Sequence, residues 1–182
     1  PAAENLSPLI ALYLDTPEED SHLKYTALLA IRYNLSDQAI MASVIRGSWS
    51  LREEEVLVKA SVDLPGRTAA NFVLTYLLKA DPKAGIPQSY LEYVATQVTT
   101  SQVDALTQRI VRAIPSSDPA YLKLLSGLAS GLFRAGKPMG PVLYQAMETA
   151  SEQALARFSK VDPPSLHQLE GDDRKTLMTA FN

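Results

Sequence analysis

The sequence predicts an all-α fold of antiparallel helical hairpins, stacked as a short α-solenoid of the HEAT or armadillo type, with a compact helical bundle as the alternative. Three observations support this fold class. Helix start and stop signals recur at short intervals, apolar residues repeat with helical spacing, and no segment alternates apolar and polar residues as a strand does. Residues 1–182 are predicted to form one all-helical domain, with a C-terminal extension at 163–182.

Four helix start signals lie in the amino-terminal part of the chain. Each places a Ser, Thr or Asp side chain where it can accept a hydrogen bond from a free backbone N–H of the first turn. The signals are Ser7-Pro8, Thr16 with Glu19, Ser36-Asp37, and Ser50 with Glu53. They predict helices that end near residues 14, 33, 45 and 62.

Apolar stripes define the helices in the rest of the chain. Ala70, Val73, Leu74, Leu77 and Leu78 are spaced so that they share one face of a helix. Further helices are predicted over 87–98, 101–114 with a cap at residue 101, 118–136 and 141–159, followed by a final segment at 172–181. Because the intervening loops are short, neighbouring helices are expected to run antiparallel.

One segment carries a family resemblance. The run Asp-Ser-His-Leu-Lys-Tyr-Thr-Ala-Leu-Leu-Ala-Ile-Arg at 20–32 resembles the conserved helix of HEAT-like repeats, and residues 68–93 are similar in character. The chain resembles in particular the helical-repeat segments of large bacterial exported proteins that also carry sorbosone-dehydrogenase-like propellers and c-type cytochrome modules.

The resemblance implies a spacer or docking segment of a longer polypeptide. It also implies a periplasmic or extracellular location, although nothing in the sequence excludes the cytoplasm. The redox chemistry of those exported proteins does not carry over, because the chain has no haem-attachment motif and no predicted propeller strands.

Composition argues against several classes of function. The net charge of −3 gives no global attraction to nucleic acid, so nucleic acid is not expected as a partner. The absence of Cys removes disulfides, iron–sulfur ligation and Cys-based zinc sites. No apolar run reaches the ~20 residues that a membrane-spanning helix needs.

Catalytic and metal-binding motifs are also missing from the sequence. His22 and His167 do not form a pair with metal-ligand spacing, so no metal site is predicted. The chain has neither a G-x-S-x-G nucleophile elbow nor a phosphate-binding P-loop. We therefore predict no catalytic residues and no cofactor.

Four residues are the candidates for an interaction surface. Tyr90 and Tyr93 are one helical turn apart and could flank a groove, while core-edge packing explains them equally well. Arg109 and Arg112 could attract an acidic partner, although a solvated helix face is the simpler interpretation.

Two small residues indicate a close helix contact. Gly127 and Gly131 have the small-x-x-x-small spacing that lets two helix backbones approach each other. In this chain, tight internal packing is favoured over a dimer face.

These observations favour a non-catalytic helical-repeat scaffold or protein-interaction domain. Its partner would be another protein or the neighbouring domains of its parent chain. The alternative is a small-molecule-binding helical bundle or an accessory domain of an enzyme, with a pocket between helices.

Overall fold

The computed structural model describes residues 3–158, which form nine α-helices and two short 3-10 turns, and no strand occurs among these residues. The prediction of an all-α fold is confirmed. The segments predicted at 163–182 and 172–181 lie outside the described residues. The helices are α1 (Leu6–Asp15), α2 (Ser21–Leu35), α3 (Gln38–Arg46), α4 (Leu51–Ser61), α5 (Arg67–Lys79), α6 (Gln88–Gln97), α7 (Thr100–Ala113), α8 (Pro119–Arg134) and α9 (Pro141–Phe158).

The predicted capping box at the start of α4 is present. The Ser50 hydroxyl accepts a hydrogen bond from the Glu53 backbone N–H, and the Glu53 carboxylate accepts one from the Ser50 N–H. Both groups satisfy donors that the first turn leaves free. At the end of α8, Gly136 has the left-handed φ of 62° that its sequence position predicts.

The predicted start of α2 was wrong. The helix begins at Ser21 because the Asp20 carboxylate accepts the hydrogen bond from the Leu23 N–H, at 3.0 Å. The Thr16 hydroxyl instead donates to the Leu12 carbonyl and serves the end of α1.

The predicted cap of α7 was also wrong, by two residues. Thr99, and not Ser101, is the N-cap of this helix. Gln102 lies three residues after Thr99 and completes a reciprocal capping box with it. Thr99 rather than Ser101 caps the helix because Thr99 is the residue with a Gln three positions later.

Most helices pack against the helix that follows next but one. The contacting pairs of this kind are α2 with α4, α3 with α5, α5 with α7, α6 with α8, and α7 with α9. Helices α4 and α6 pack on α5 rather than closely on one another. A single cluster of buried apolar side chains runs from Leu6 to Ala150 along these contacts.

The closest of these contacts joins α6 and α8, and it depends on glycine. A methyl group added at Gly131 would lie 2.3 Å from the Glu92 carbonyl oxygen and 2.7 Å from the Ala95 Cβ. At Gly127, the nearest neighbour would be the Gln88 Cγ at 3.0 Å. The prediction that these two glycines serve tight internal packing is confirmed.

Cationic side chains satisfy carbonyl groups at the ends of neighbouring helices. Arg32 on α2 donates to the Ala60 carbonyl at the end of α4, at 3.1 Å. Arg109 on α7 donates to two carbonyls at the end of α5, at 3.0 and 2.7 Å. The Lys137 ammonium, after α8, donates to three carbonyls at the end of α6. Positive charge at a helix C-terminus is favourable, so these contacts fix α2 to α4, α7 to α5 and the end of α8 to α6.

We expect Gly131→Ala to lower the free energy of unfolding, although alanine is the better helix former. Overpacking costs ~1–3 kcal/mol, which exceeds the gain of ~1 kcal/mol in helix propensity. Urea unfolding followed by circular dichroism measures the change. The matched control is Ser130→Ala on the same helix, which should leave the stability unchanged or slightly raised. Equal or greater stability of the Gly131 variant would contradict the proposed packing role.

Candidate functional site

An open groove of about 500 Å³ lies on the described part of the chain. It runs along α4 and is bounded by α1, by the end of α5 and by the loop that leads into α6. Three tyrosines line it, Tyr13, Tyr76 and Tyr90, and we call it the tyrosine groove. Its charged lining residues are Glu18, Lys24, Arg52, Glu55, Lys59 and Asp81.

The loop between α5 and α6 builds one wall of the groove. Asp81 accepts a hydrogen bond from the Lys83 N–H and caps the short 3-10 turn at Pro82–Ala84. Gly85 follows with a φ of 87°, a left-handed conformation that most other residues adopt at a cost. The chain then reverses, so that Ile86 is buried and Tyr90, one turn into α6, lies in the groove.

Two lysines surround Tyr13 at one end of the groove. The Lys24 and Lys59 ammonium groups lie 5.3 and 5.5 Å from the centre of the Tyr13 ring. Lys59 also donates a hydrogen bond to the Tyr13 hydroxyl, at 2.8 Å. Lys24 pairs with Glu18, and this hydrogen bond lowers the pKa of the Glu18 carboxyl. The two cations at this end therefore already have partners.

The lining around Tyr76 and Tyr90 is aromatic and acidic. Burial raises the pKa of Tyr90 to about 12, with smaller contributions from Tyr76, Tyr13 and the Glu55 carboxylate. Burial likewise raises the pKa of Tyr76, and the carboxylates of Glu55 and Glu54 add to the shift. Both hydroxyl groups are thus neutral at physiological pH and lie in the field of the Glu55 carboxylate.

Only one of the four residues proposed for the interaction surface lies in this groove. Tyr90 is half-buried there. Tyr93 is buried, and its hydroxyl donates to the Leu64 carbonyl at 2.7 Å, so it contributes little exposed surface. Arg109 is half-buried against the end of α5, and Arg112 is exposed on α7 outside the groove lining.

Tyr13 and Tyr76 were not singled out from the sequence, and Glu55 was interpreted, with Glu53 and Glu54, as negative charge favoured at the start of a helix. Tyr13, Tyr76 and Glu55 belong to three different helices, α1, α5 and α4, and meet only through the packing of those helices. The spacing of residues along one helix does not show which residues of other helices will lie beside them. The one signal in the sequence is the high number of tyrosines, eight in all.

A second hollow, of about 380 Å³, lies between α3 and α5 beside Trp49. Several of its polar groups already have partners within the chain. The Trp49 indole N–H donates to the Val44 carbonyl at 2.9 Å, and Glu54 pairs with Lys79 at 3.6 Å. This hollow therefore offers fewer groups to a ligand than the tyrosine groove does.

The described part of the chain contains no group of His, Asp and Glu side chains that could hold a metal ion. Within residues 3–158, no helix has both the length and the apolar character that crossing a membrane requires.

No family model, curated protein or solved structure matches the chain. The resemblance to HEAT-like repeats therefore stays a prediction.

We expect stability to fall as the pH rises from about 10 to about 12, partly because of Tyr90. In this range the unfolded chain loses the phenolic proton at its ordinary pKa of 10.0, while the folded chain retains it up to about 12. Alkaline pH therefore favours unfolding.

Urea unfolding at about pH 9 and about pH 11.5 checks this. Tyr90→Phe removes the titrating group and should reduce the loss of stability between the two pH values. Tyr25→Phe is the control, since Tyr25 is exposed on α2. An equal loss in the Tyr90 variant and in the wild type would show that Tyr90 does not contribute.

Proposed function

We propose that this chain is a non-catalytic helical-repeat scaffold whose tyrosine groove docks an extended segment of a partner protein or of a neighbouring domain. The observation that carries the proposal is the groove itself, an open hollow of about 500 Å³ lined by Tyr13, Tyr76 and Tyr90. Tyrosine is enriched at protein interfaces because its ring supplies apolar contact area and its hydroxyl supplies a hydrogen bond.

The helix contacts support a stacked arrangement of hairpins. Pairing of each helix with the next but one repeats from α2 to α9, with α4 and α6 as the exception. Stacked helical pairs present extended surfaces to partners rather than deep pockets. In this proposal, the tyrosine groove occupies the site where α4 and α6 separate.

The openness of the groove favours a polypeptide over a small molecule. Glu18, Arg52, Glu55 and Lys59 along its rim are all exposed. Binding sites for small molecules usually enclose most of the ligand surface. An extended peptide can instead lie along an open groove and insert alternate side chains.

A small-molecule site is the second candidate function. The volume of about 500 Å³ supports it, since it lies in the range of ligand pockets. The two functions differ in what binds, because docking requires affinity for an extended peptide, whereas a small-molecule site requires affinity for a compound that fits within about 500 Å³.

Selection from a library of random peptides of about 12 residues tests the docking function. We expect the selected peptides to bind at least about tenfold more weakly to Tyr90→Ala or Tyr76→Ala, because each variant removes a central aromatic contact. Tyr144→Ala is the matched control, since Tyr144 is exposed on α9, outside the groove. Peptides that bind the groove variants as tightly as the wild type would refute the proposal.

A further inference from the structure

The charges in the tyrosine groove differ in whether they already have partners. Lys24 pairs with Glu18, Lys59 donates to the Tyr13 hydroxyl, and Asp81 accepts from a backbone N–H. Glu55 makes no ion pair and no side-chain hydrogen bond with any residue in the described range. It is an exposed carboxylate on the groove face of α4.

The tyrosine rings of the groove also differ in whether a cation of the chain lies close to them. The Tyr13 ring has two ammonium groups within 6 Å of its centre, a distance at which a cation is attracted to an aromatic face. Among the described residues, no Lys or Arg lies over the ring of Tyr76 or Tyr90. The two half-buried rings and the Glu55 carboxylate line the same groove, and none of the three is paired with a cation of the described chain.

We propose that the partner segment carries a lysine or arginine side chain, which binds at Tyr76 and Tyr90 beside the Glu55 carboxylate. This inference rests on the proposed docking function and adds the chemistry of the occupant. The carboxylate supplies the opposite charge, and the aromatic faces attract the cation while they pack against its alkyl stem. An acidic partner residue would meet the unpaired charge of Glu55 at this site.

Arg52 is the one feature of the groove that opposes a basic partner. It lies three residues before Glu55, on the same face of α4, and has no ion pair within the described chain. At this spacing Arg52 is a close neighbour of Glu55, so it competes with a partner's cation for the carboxylate. Arg52 does not lie over the ring of Tyr76 or Tyr90, so these two faces are left to the cation of the partner.

Two capped peptides that differ only at one central residue test the inference. The first carries arginine, and the second carries citrulline, which has nearly the same shape but no charge. NMR titration of the isotope-labelled chain gives the affinity of each peptide and the residues whose signals shift. We expect the arginine peptide to bind about fivefold more tightly than the citrulline peptide, with shifts at Tyr76 and Tyr90.

Glu55→Gln should reduce this preference to less than about twofold, because it removes the opposite charge and keeps the shape of the side chain. Glu152→Gln, an exposed substitution on α9, is the matched control and should leave the preference unchanged. Both carboxylates are exposed, so neither variant is expected to disturb folding.

Two variants of Tyr76 separate the ring from the hydroxyl. Tyr76→Phe keeps the aromatic face and should retain the preference for arginine, whereas Tyr76→Leu should lose most of it. A preference that survives the leucine variant, or that disappears in the phenylalanine variant, would overturn the assigned role of the ring.

Failure of the inference can be distinguished from failure of the proposed function. If library peptides bind the groove but show no excess of lysine or arginine, and the citrulline peptide binds as tightly as the arginine peptide, the docking function stands and the inference fails. If neither the library peptides nor the two capped peptides bind at the groove, both fail.

Discussion

The close approach of α6 and α8 at Gly131 is the contact on which the tyrosine groove depends. A methyl group at this position would lie 2.3 Å from a carbonyl oxygen of α6, so the spacing of the two helices requires glycine. Helix α6 carries Tyr90 into the groove and Tyr93 into the core. The α8 contact thereby fixes the helix that provides one side of the groove, and pre-organisation of this kind reduces the cost of binding.

Hydrogen bonds at the helix ends fix the positions of the other helices. Arg32, Arg109 and Lys137 each donate to carbonyls at the end of a neighbouring helix, and the Tyr93 hydroxyl donates to the carbonyl of Leu64 just after α4. These contacts use polar groups that a helix end leaves unsatisfied. Polar residues that could pass for an interaction surface, Tyr93 and Arg109 among them, are therefore part of the framework. The groove residues without such contacts, Glu55, Arg52, Tyr76 and Tyr90, are the ones left to a partner in the proposed function.

The sequence predicted the helices and their apolar faces, but it misplaced the start of α2 and the cap of α7 and did not predict the groove. The Gly127 and Gly131 spacing and the apolar stripe of α5 are properties of single helices, so they can be found from the order of residues alone. Tyr90 was proposed from its spacing to Tyr93, with core-edge packing as an equal alternative, and it lines the groove. Its association with Tyr13 and Tyr76 was not predicted, because it follows from the separation of α4 and α6 and from the reversal of the chain at residue 85. No periodic pattern encodes either event.

A crystal structure of this chain with a bound arginine-containing peptide would show where a partner segment lies and which group it inserts. We expect the peptide to run along α4, with its guanidinium group against the Tyr76 and Tyr90 rings and within hydrogen-bond distance of the Glu55 carboxylate. A peptide bound on another face of the protein, with the tyrosine groove empty, would show that the groove is not the docking site.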